Sequence, residues 1–575
     1  MRQFLLFFLG LCFFVAVVLF GAILNISSET KTITILQTSD LHGYLMPWDY
    51  YTNQPAELGL AKVATLIQQE REKHPNLVLI DDGDTIQGSP LAHYYNKIDT
   101  QSPHPIATAF NLLGFDAVSL GNHDFDFGIE VLSRWVKQLD APVVCANLIQ
   151  ADGVPAFKPY IFKEVDGVKI GILGLTTTAV QNWLPPENFG ELSFVDPITT
   201  AQEYVPKMRQ QGADIVIVAQ HTGWTKTPHD YRSNPAAWLT PVDTWKNTGA
   251  TVNENITIEL AQQVPDIDII LAGHSHINVP KAVINTVLIA EPSYWGKALS
   301  KYTIQLVHQG KDWKVIDKYA TNLSVENIEP LPRFIELLQP NHQQILSYLN
   351  QPIGQAKSEF VGGMAARFQG SALAHLINTV QIEAARSMGY PVDISLTSIF
   401  TNQGKIPVGE ITLRDAYSIY VCDNRLFIIE ITGDILRRAL EKNAAYFQQV
   451  NSDNLPDSPR EIIAENIPGY NWDIYQGIDY TIDITKPVGQ RVTRLLLNGK
   501  TIAPEQVLRV AINNYRALGG GDYVMFTEGK ILDKSTQEIR DLIAEYLKKK
   551  ETISPQDFQM DNLEIIPNIY NYYFG

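Results

Sequence analysis

Polar side chains that can bind divalent cations follow five short apolar runs in the first half of the chain. Asp, Asn and His offer oxygen or nitrogen donors, and mixed donors of this kind suit divalent transition metals. The five polar segments are Ser39-Asp40-Leu41-His42, Asp81-Asp82-Gly83-Asp84, Gly121-Asn122-His123-Asp124-Phe125-Asp126, Gln220-His221-Thr222-Gly223 and Gly273-His274-Ser275-His276. Metal-assisted hydrolysis is the chemistry that such residues could perform.

Taken one at a time, these segments have a structural explanation. An Asp at the end of a strand often caps the next helix, and a His there is often a hydrogen-bonded structural residue. Five segments together, each following an apolar run, are hard to explain by capping alone. In an open α/β sheet the carboxyl ends of the strands share one edge, so the segments should meet there. The sequence therefore predicts that these five segments form one metal-binding site.

The apolar runs are the elements that must position these ligands. From residue 31 to about residue 318, runs such as 33–36 and 215–218 alternate with amphipathic stretches. Runs rich in Val and Ile, with helical stretches between them, predict the buried strands of an α/β domain. One such stretch, residues 58–72, has apolar residues at helical spacing and predicts a helix.

At 575 residues the chain is too long for one hydrophobic core and should divide into domains. We assign residues 31–330 to a catalytic domain, 331–350 to a linker helix with a break or kink at Pro340, 351–550 to a second domain and 551–575 to a tail without a functional signal. Residues 225–257, which contain three prolines and two tryptophans, predict a long insertion loop near the site.

The first 30 residues predict export from the cytoplasm. Residues 4–24 carry no charged side chain, and a helix of that length rises about 30 Å, enough to cross the hydrocarbon layer of a membrane. Arg2 on the N-terminal side places the rest of the chain in the periplasm or at the cell surface. The segment is either a cleaved signal peptide or an uncleaved signal anchor that ties the protein to the membrane. The absence of a small-x-small site before Asn25 favours the anchor.

Composition limits the class of substrate. The chain is 45% hydrophobic and 19% charged, as expected of a globular protein. It has 45 Lys plus Arg against 62 Asp plus Glu, a formal net charge of -17, whereas a general nucleic-acid binder needs a basic surface. The balance argues against polymeric nucleic acid as a partner. It is compatible with a small anionic substrate, such as a mononucleotide, that is held by bound cations.

The five metal-binding segments together resemble the calcineurin-like metallophosphoesterase family. The resemblance implies an α/β protein whose N-terminal domain is a β-sandwich flanked by helices, in the order αββα. It also implies two divalent metals, which the sequence does not identify as manganese, zinc, iron, cobalt or calcium. Asp84 would bridge the two metals, with Asp40, His42 and His276 on one and Asn122, His221 and His274 on the other. His123 would protonate the leaving group, and Asp126, or alternatively Asp124, would orient the His123 ring.

The second half of the chain resembles the C-terminal α+β domain of bacterial nucleotidases. The segments that carry this resemblance are Pro-Gly-Tyr-Asn-Trp-Asp at 468–473, Gln-Gly-Ile-Asp-Tyr at 476–480, Lys-Pro-Val-Gly at 486–489 and Asn-Asn-Tyr-Arg-Ala-Leu-Gly-Gly-Gly-Asp at 513–522. They are most similar to the 2',3'-cyclic-nucleotide 2'-phosphodiesterase/3'-nucleotidases. The resemblance implies that Tyr470 and Tyr515 clamp the base, with Asn424, Arg367 and Asp522 as further substrate contacts.

The predicted function is therefore two-metal hydrolysis of 2',3'-cyclic nucleotides and 3'-nucleotides to nucleoside and phosphate. A 5'-nucleotidase or UDP-sugar hydrolase would use the same metals, but Cys422 stands where that group has an aromatic ring. A thiosulfate-ester hydrolase is disfavoured by the pair of tyrosines. A surface-anchored binding protein without activity is disfavoured by the complete set of ligands.

Overall fold

The computed structural model describes residues 29–248, 254–310, 312–402, 404–464 and 467–575. The apolar segment at residues 4–24, interpreted as a signal peptide or a signal anchor, lies outside the described residues. Within the described ranges, no helix combines the length and the apolar character that crossing a bilayer requires.

The N-terminal domain is built on two stacked sheets. Its strands are β1 Thr30–Thr38, β2 Val78–Asp81, β3 Ala117–Val118, β4 Tyr160–Val165, β5 Val168–Thr176, β6 Ile215–His221, β7 Ile269–Ala272, β8 Asn278–Ile284, β9 Val287–Pro292, β10 Ala298–Gln309 and β11 Asp312–Ser324. The order in the first sheet is β11-β10-β1-β2-β3, and in the second sheet it is β8-β9-β7-β6-β5-β4.

Both faces of each sheet are buried, which explains why the strands have continuous apolar runs. Ile35 of β1 and Ile172 of β5 belong to the core between the two sheets. Leu36, the next residue of β1, belongs to the core between the first sheet and its helices, and Leu173 belongs to the core on the outer face of the second sheet. This layering confirms the predicted αββα sandwich.

The direction of the strands brings the polar segments together. Strands β1, β2 and β3 run parallel to one another, and so do β5, β6, β7 and β9. Parallel neighbours end at the same edge of a sheet. The segments that follow β1, β2, β3, β6 and β7 therefore lie along one rim of the sandwich.

The helices of this domain cover the outer faces of the sandwich. They are α1 Leu60–Lys73, α2 Pro90–His93, α3 Pro105–Leu113, α4 Ile129–Val136, α5 Val180–Trp183, α6 Pro197–Gln210 and α7 Thr257–Gln263. The helix predicted at residues 58–72 is α1, whose face with Val63, Ala64 and Ile67 is buried.

The predicted linker helix is α8, Pro332–Leu349. Of the break or kink expected at Pro340, the break is wrong, because the helix continues through this proline. Phe334, Leu338 and Ile345, which lie on both sides of Pro340, are fully buried. Their packing offsets the hydrogen bond that a proline inside a helix removes.

The C-terminal domain is α+β. Its strands are β12 Pro352–Ala356, β13 Ile394–Ser398, β14 Gly409–Thr412, β15 Arg425–Thr432, β16 Asp473–Gln476, β17 Asp479–Asp483, β18 Val492–Leu497, β19 Lys500–Thr501, β20 Val507–Asn513, β21 Lys530–Glu538, β22 Thr552–Ile553 and β23 Leu563–Ile566. Its helices are α9 Ala372–Ser387, α10 Leu413–Ile419, α11 Gly433–Ala444, α12 Asn514–Ala517, α13 Ile539–Lys550 and α14 Ile569–Phe574. The sheet orders are β16-β13-β20-β15-β21, β14-β12-β22 and β19-β18-β17-β23.

Residues 551–575, set apart above as a tail, are built into the sheets of this domain. Strand β22 pairs with β12, and β23 pairs with β17. Strands of two and four residues contain too little pattern to be recognised in a sequence, which explains why this part was not assigned to the domain.

The predicted insertion packs into the core on the outer face of the second sheet. Its strands Lys226–Thr227 and Lys246–Asn247 pair with each other. Trp224, Trp238 and Trp245 are buried together, with centroid distances of 4.8 Å and 5.1 Å from the ring of Trp238 to the other two. After residues 249–253, which are not described, the chain is described again from Glu254 on, at the rim of the sandwich. Two further short ribbons pair Trp48–Asp49 with Gln54–Pro55 and Leu148–Ile149 with Ser193–Phe194.

Candidate metal centre and substrate cleft

The side chains predicted as ligands form two adjacent groups at the rim. One group contains Asp40, His42 and His276, and the other contains Asp84, His221 and His274. In each group the ligand atoms lie within 4.8 Å of one another. Four of the five separate segments of the sequence therefore meet in one place.

Asn122 belongs to the second group, and Asp84 connects the two groups. Asn122 Oδ1 lies 2.8 Å from His274 Nδ1, which puts the amide in the second group. Asp84 Oδ2 lies 3.0 Å from His221 Nε2 and 3.9 Å from His42 Nε2. The Asp84 carboxylate thus stands between the groups, where a bridging ligand would be.

The donor atoms fit two divalent cations. His42 Nε2 and His276 Nε2 face each other at 2.9 Å, and the buried His221 Nε2 faces the Asp84 carboxylate at 3.0 Å. Asp40 and Asp84 are both fully buried, and two buried carboxylates side by side need a compensating positive charge. Carboxylate, amide oxygen and imidazole are also the donors that divalent transition metals accept.

The protonation of the first group suits metal binding. Burial and the nearby His276 imidazole lower the pKa of His42 to about 4, so that the ring is neutral near pH 7. Burial raises the pKa of Asp40, but the imidazoles of His221 and His276 outweigh this effect and lower the pKa to about 2. A neutral imidazole and an ionised carboxylate are the forms that bind metal.

The ligands occupy strained backbone positions. Asp40, His42, Asp84, His274 and His276 have positive φ angles of 52°, 48°, 54°, 72° and 56°. A left-handed conformation costs a residue with a side chain roughly 1–2 kcal/mol. Hydrogen bonds from Asp40 N to Gly83 O and from His42 N to Asp84 O, both 2.9 Å long, hold the first two loops in this arrangement. Strain concentrated in this way is typical of functional sites.

Gly83 allows two of the ligand loops to come close together. Its φ is 91°, and a Cβ atom there would lie 2.2 Å from the backbone nitrogen of Gly121. The loop with Asp84 is therefore in direct backbone contact with the loop that contains Asn122. Any side chain at position 83 would separate the two.

Asp124 and Asp126 have different roles in this geometry. The carboxylate of Asp124 accepts hydrogen bonds from the backbone nitrogens of Asp84, Thr85, Ile86 and Gly121. It therefore joins the two ligand loops and is not free to pair with His123. Asp126 Oδ2 lies 2.8 Å from His123 Nδ1.

His123 lies beside the metal groups without belonging to either. Its backbone nitrogen donates to Asp84 Oδ1 at 2.7 Å, and its ring centroid is 5.5 Å from that of His42. Burial lowers the pKa of His123, but the carboxylates of Asp126 and Asp84 outweigh it and raise the pKa to about 9. The imidazole is therefore charged at neutral pH and can donate a proton.

A cleft of about 360 Å³ separates the metal groups from the C-terminal domain. Asp84, Asn122, His123, Asp126, His274 and His276 line one side, and Asn424, Tyr470 and Tyr515 line the other. The volume is within the range usual for small-molecule sites. Three of the predicted substrate contacts therefore face the predicted metal ligands.

Gly520 and Arg516 set the position of the two tyrosines. A Cβ atom at Gly520 would lie 2.6 Å from several ring atoms of Tyr515, so the glycine backbone packs against one face of that ring. The buried guanidinium of Arg516 donates to Tyr470 O at 2.8 Å and to Gly520 O at 2.7 Å. It therefore ties the loop of Tyr470 to the loop that supports Tyr515.

Arg367 and Asp522 do not line the cleft, in contrast to the prediction. Arg367 is buried, and its guanidinium donates to Ile399 O and to Asn402 Oδ1. Asp522 has a side chain that is 64% exposed and forms an ion pair with Lys442. Both side chains are engaged with their own domain, which leaves neither of them facing the ligands.

Trp183, Glu254 and Arg425 are among the lining residues that the sequence analysis missed. The ring of Trp183 stacks on that of His274, with centroids 5.8 Å apart and planes inclined by 15°. Glu254 Oε1 lies 3.2 Å from His274 Nε2. The only signal for Glu254 was its position near the end of the predicted insertion, and neither Trp183 nor Arg425 belongs to a motif.

Comparison with protein families identifies both halves of the chain. The model described as calcineurin-like phosphoesterase matches residues 33–278. The model described as 5'-nucleotidase, C-terminal domain, matches residues 352–528. The first match covers the N-terminal sandwich as far as the start of β8 and includes all five polar segments, and the second covers most of the C-terminal domain.

Curated relatives and solved structures give a consistent result. The chain is 30% identical over 582 residues to the trifunctional nucleotide phosphoesterase protein YfkN of Bacillus subtilis (strain 168), an alignment that covers 91% of this chain but only 38% of that relative. It is 29% identical over 591 residues to the 2',3'-cyclic-nucleotide 2'-phosphodiesterase/3'-nucleotidase of Haemophilus influenzae, with 91% of this chain and 86% of the relative covered. A candidate 5'-nucleotidase from Staphylococcus aureus has the same fold, with a TM-score of 0.79, 24% identity and coverage of 93% and 100%.

Proposed function

The chain belongs to the calcineurin-like phosphoesterases that carry a 5'-nucleotidase C-terminal domain, and on this premise we propose that it hydrolyses 2',3'-cyclic nucleotides and 3'-nucleotides to nucleoside and phosphate. It is a metal-dependent hydrolase of phosphoric esters. The observation that carries the proposal is one cleft with the metal ligands and His123 on one wall and two tyrosines on the other. The printed activity of the Haemophilus influenzae relative supports the choice of substrate.

We assign one cation to Asp40, His42 and His276 and the other to Asn122, His221 and His274, with Asp84 between them. Two cations held in this way lower the pKa of a bound water and neutralise charge on the phosphoryl oxygens. Asp40, His42, Asp84 and His221 are buried, so these ligands are shielded from competing hydrogen bonds to solvent. The strained loops, joined through Asp124, keep the two groups at a fixed separation.

His123 acts as the general acid. Its charged ring lines the cleft beside Asp84 and can protonate the sugar oxygen that leaves phosphorus. Asp126 accepts the hydrogen bond from His123 Nδ1, which leaves Nε2 to carry the transferred proton. The same carboxylate stabilises the imidazolium form.

Tyr470 and Tyr515 hold the base. Stacking on aromatic rings tolerates different bases, because every base has a flat face. Tyr470 is 44% exposed, so its ring is accessible to a ligand. Asn424 lines the same wall and can form a hydrogen bond to the nucleoside.

The two reactions use the same residues in succession. Water attacks the phosphorus of a 2',3'-cyclic ester, the bond to the 2' oxygen breaks, and that oxygen takes a proton from His123. The attacking water loses one proton to solvent, and solvent returns one to His123 before the second reaction. The product is a 3'-nucleotide. In the second reaction water attacks the same phosphorus, the 3' oxygen leaves with a proton, and nucleoside and phosphate are released.

A 5'-nucleotidase is the second candidate function, because the C-terminal family model carries that name. An assay of 2',3'-cyclic AMP, 3'-AMP and 5'-AMP side by side, with added Mn²⁺, separates the two. We expect turnover of the first two substrates to exceed that of 5'-AMP. Preference for 5'-AMP would replace the proposal by the second candidate, and the Asp84→Ala variant serves as the inactive control.

We also propose that the protein acts outside the cytoplasm, in the periplasm or at the cell surface. The support is the apolar segment at residues 4–24 with Arg2 before it. Fractionation of cells that produce the full chain tests this location. Recovery of the protein and its activity only with the cytoplasmic fraction would contradict it.

A further inference from the structure

The imidazole of His274 has a partner on each of its two nitrogens. Nδ1 lies 2.8 Å from Asn122 Oδ1, on the side of the second metal group. Nε2 lies 3.2 Å from the carboxylate oxygen Oε1 of Glu254. His274 is largely buried, with 11% of its side chain exposed, whereas that of Glu254 is 31% exposed. The ring thus connects the ligand group to a carboxylate that has no place in either group.

Such an arrangement has a known physical consequence. A metal-bound imidazole usually donates its other N–H to a carboxylate or carbonyl, which fixes the tautomer and the ring orientation and increases the basicity of the ligating nitrogen. With Nε2–H donated to Glu254, the lone pair of His274 is on Nδ1, the nitrogen that points to Asn122. The tautomer that Glu254 selects is therefore the one that can bind a cation in the second group.

Glu254 is held in place by the residues that follow it. Thr257 Oγ1 donates to Gly223 O at 2.8 Å and accepts from Gln220 Nε2 at 2.8 Å. The buried Asn255 packs on Gly223 so tightly that a Cβ atom there would lie 1.8 Å from Asn255 Oδ1. These contacts attach the end of the insertion to the C-terminal end of β6, whose last residue is the ligand His221, and to the loop that follows. The carboxylate is thus fixed relative to a second ligand of the same metal group.

One face of the His274 ring is also covered by an aromatic residue. The ring of Trp183 stacks on it, with planes only 15° apart. Trp183 sets the plane of the imidazole, and Glu254 sets its rotation within that plane. Glu254 also lines the cleft with Tyr470 and Tyr515. Burial raises the pKa of the Tyr470 and Tyr515 hydroxyls, and the negative charge of Glu254 raises it further by a smaller amount.

We propose that Glu254 is a positioning residue of the second metal group, which holds His274 in the tautomer and orientation that bind the cation. The inference rests on the proposed assignment of His274 as a metal ligand. It adds to the site a carboxylate from the insertion, and so gives that insertion a function. The residue acts through His274 and does not need to touch the substrate.

The test is metal binding by the full chain. Metal-free protein is titrated with Mn²⁺ in competition with a fluorescent chelator, and the metal retained after dialysis is counted. We expect wild type to retain two ions per chain, and E254A to bind the second ion roughly 10- to 100-fold more weakly, the usual loss for such an outer partner. E254Q keeps an acceptor oxygen but loses the charge, so its loss should be smaller than that of E254A.

Glu259→Ala is the matched control. Glu259 belongs to the same segment, but its carboxylate accepts from Thr225 Oγ1 and does not contact His274. We expect E259A to bind both ions with wild-type affinity, and metal-free E254A to unfold at the same midpoint as wild type. These two results together would show that E254A loses the second ion because His274 is no longer positioned, and not because the insertion is damaged. If E254A does not fold, the result for E254Q is decisive. Weaker binding of the second ion by E254Q would support the proposal, and wild-type affinity of E254Q for that ion would overturn it.

Two results would overturn the inference. One is wild-type affinity for both ions in E254A and E254Q, and the other is an equal loss in E259A. Neither result touches the proposed function, which would instead fail if wild type itself bound no pair of ions.

Discussion

The two walls of the cleft are built in different ways. On the metal side, the ligands follow the ends of β1, β2, β3, β6 and β7, and most of them are fully buried. On the substrate side, Asn424, Tyr470 and Tyr515 lie in loops and short helices, and Tyr470 is 44% exposed. Five residues of the metal side have strained, positive φ angles: Asp40, His42, Asp84, His274 and His276.

The comparison indicates a division of labour. A reaction centre with two cations needs a fixed separation, and strand ends joined by backbone hydrogen bonds supply it. A binding surface for different bases needs flat rings and tolerates looser support. Changes on the metal side should therefore abolish the reaction, whereas changes on the substrate side should mainly weaken binding.

The largest effect is expected for Asp84→Ala. Because the Asp84 carboxylate stands between the two groups, its removal should deplete both metals and reduce hydrolysis to the background rate. Metal analysis of the purified variant and an assay with 3'-AMP measure the two effects. The exposed Asp152→Ala provides the control, and a variant without Asp84 that retained two metals would contradict the bridging assignment.

His123→Ala should have the next largest effect. The variant should keep both metals, because His123 belongs to neither group, and should lose roughly 10²- to 10⁴-fold in kcat, as expected for loss of a general acid. The exposed His229→Ala is the matched control. Unchanged kcat with both metals in place would remove His123 from the mechanism.

Tyr515→Ala tests the opposite wall. Stacking is worth roughly 1–3 kcal/mol per base, so KM for 3'-AMP should rise by about tenfold or more, with little change in kcat. Hydrolysis of bis(p-nitrophenyl) phosphate, which has no base, should change little. Equal losses for both substrates would argue against stacking, and the exposed Tyr572→Ala is the control.

The smallest effect is expected for Asp126→Asn. The negative charge of Asp126 helps to raise the pKa of His123 to about 9, so its removal should lower this pKa. NMR titration of the metal-free protein measures the shift directly. Since the protonated imidazole is the proposed acid, the alkaline limb of the rate profile should move to lower pH. An unshifted pKa would show that the pair is not coupled, and Asp140→Asn is the control.

The same comparison explains how much of the site the sequence could predict. Each metal ligand follows an apolar run, and parallel strands bring the ends of these runs to one edge of the sheet. The meeting of Asp40, Asn122 and His274 at one rim could therefore be predicted. The positions of Arg367 and Asp522 could not be predicted, because they lie in loops whose side chains are directed by local partners. Arg367 donates to Ile399 O, and Asp522 pairs with Lys442.

The fold shows the same limit. Strands with long Val and Ile runs and the amphipathic helix α1 are evident in the sequence and predict an α/β domain, whereas the αββα order was implied by the family resemblance. The continuation of α8 through Pro340 depends on buried neighbours such as Leu338 and Ile345, which local preference does not describe. Strand β23 has only four residues, and it can be recognised as a strand only from its pairing with β17.

The most direct test of two cations in this cleft is anomalous diffraction from crystals of the Mn²⁺-loaded protein. We predict two peaks about 3.5–4 Å apart, one beside Asp40, His42 and His276 and the other beside Asn122, His221 and His274, with the Asp84 carboxylate between them. A single peak, or peaks only at the separate cluster of His93, Asp423 and Glu538, would contradict the two-metal account.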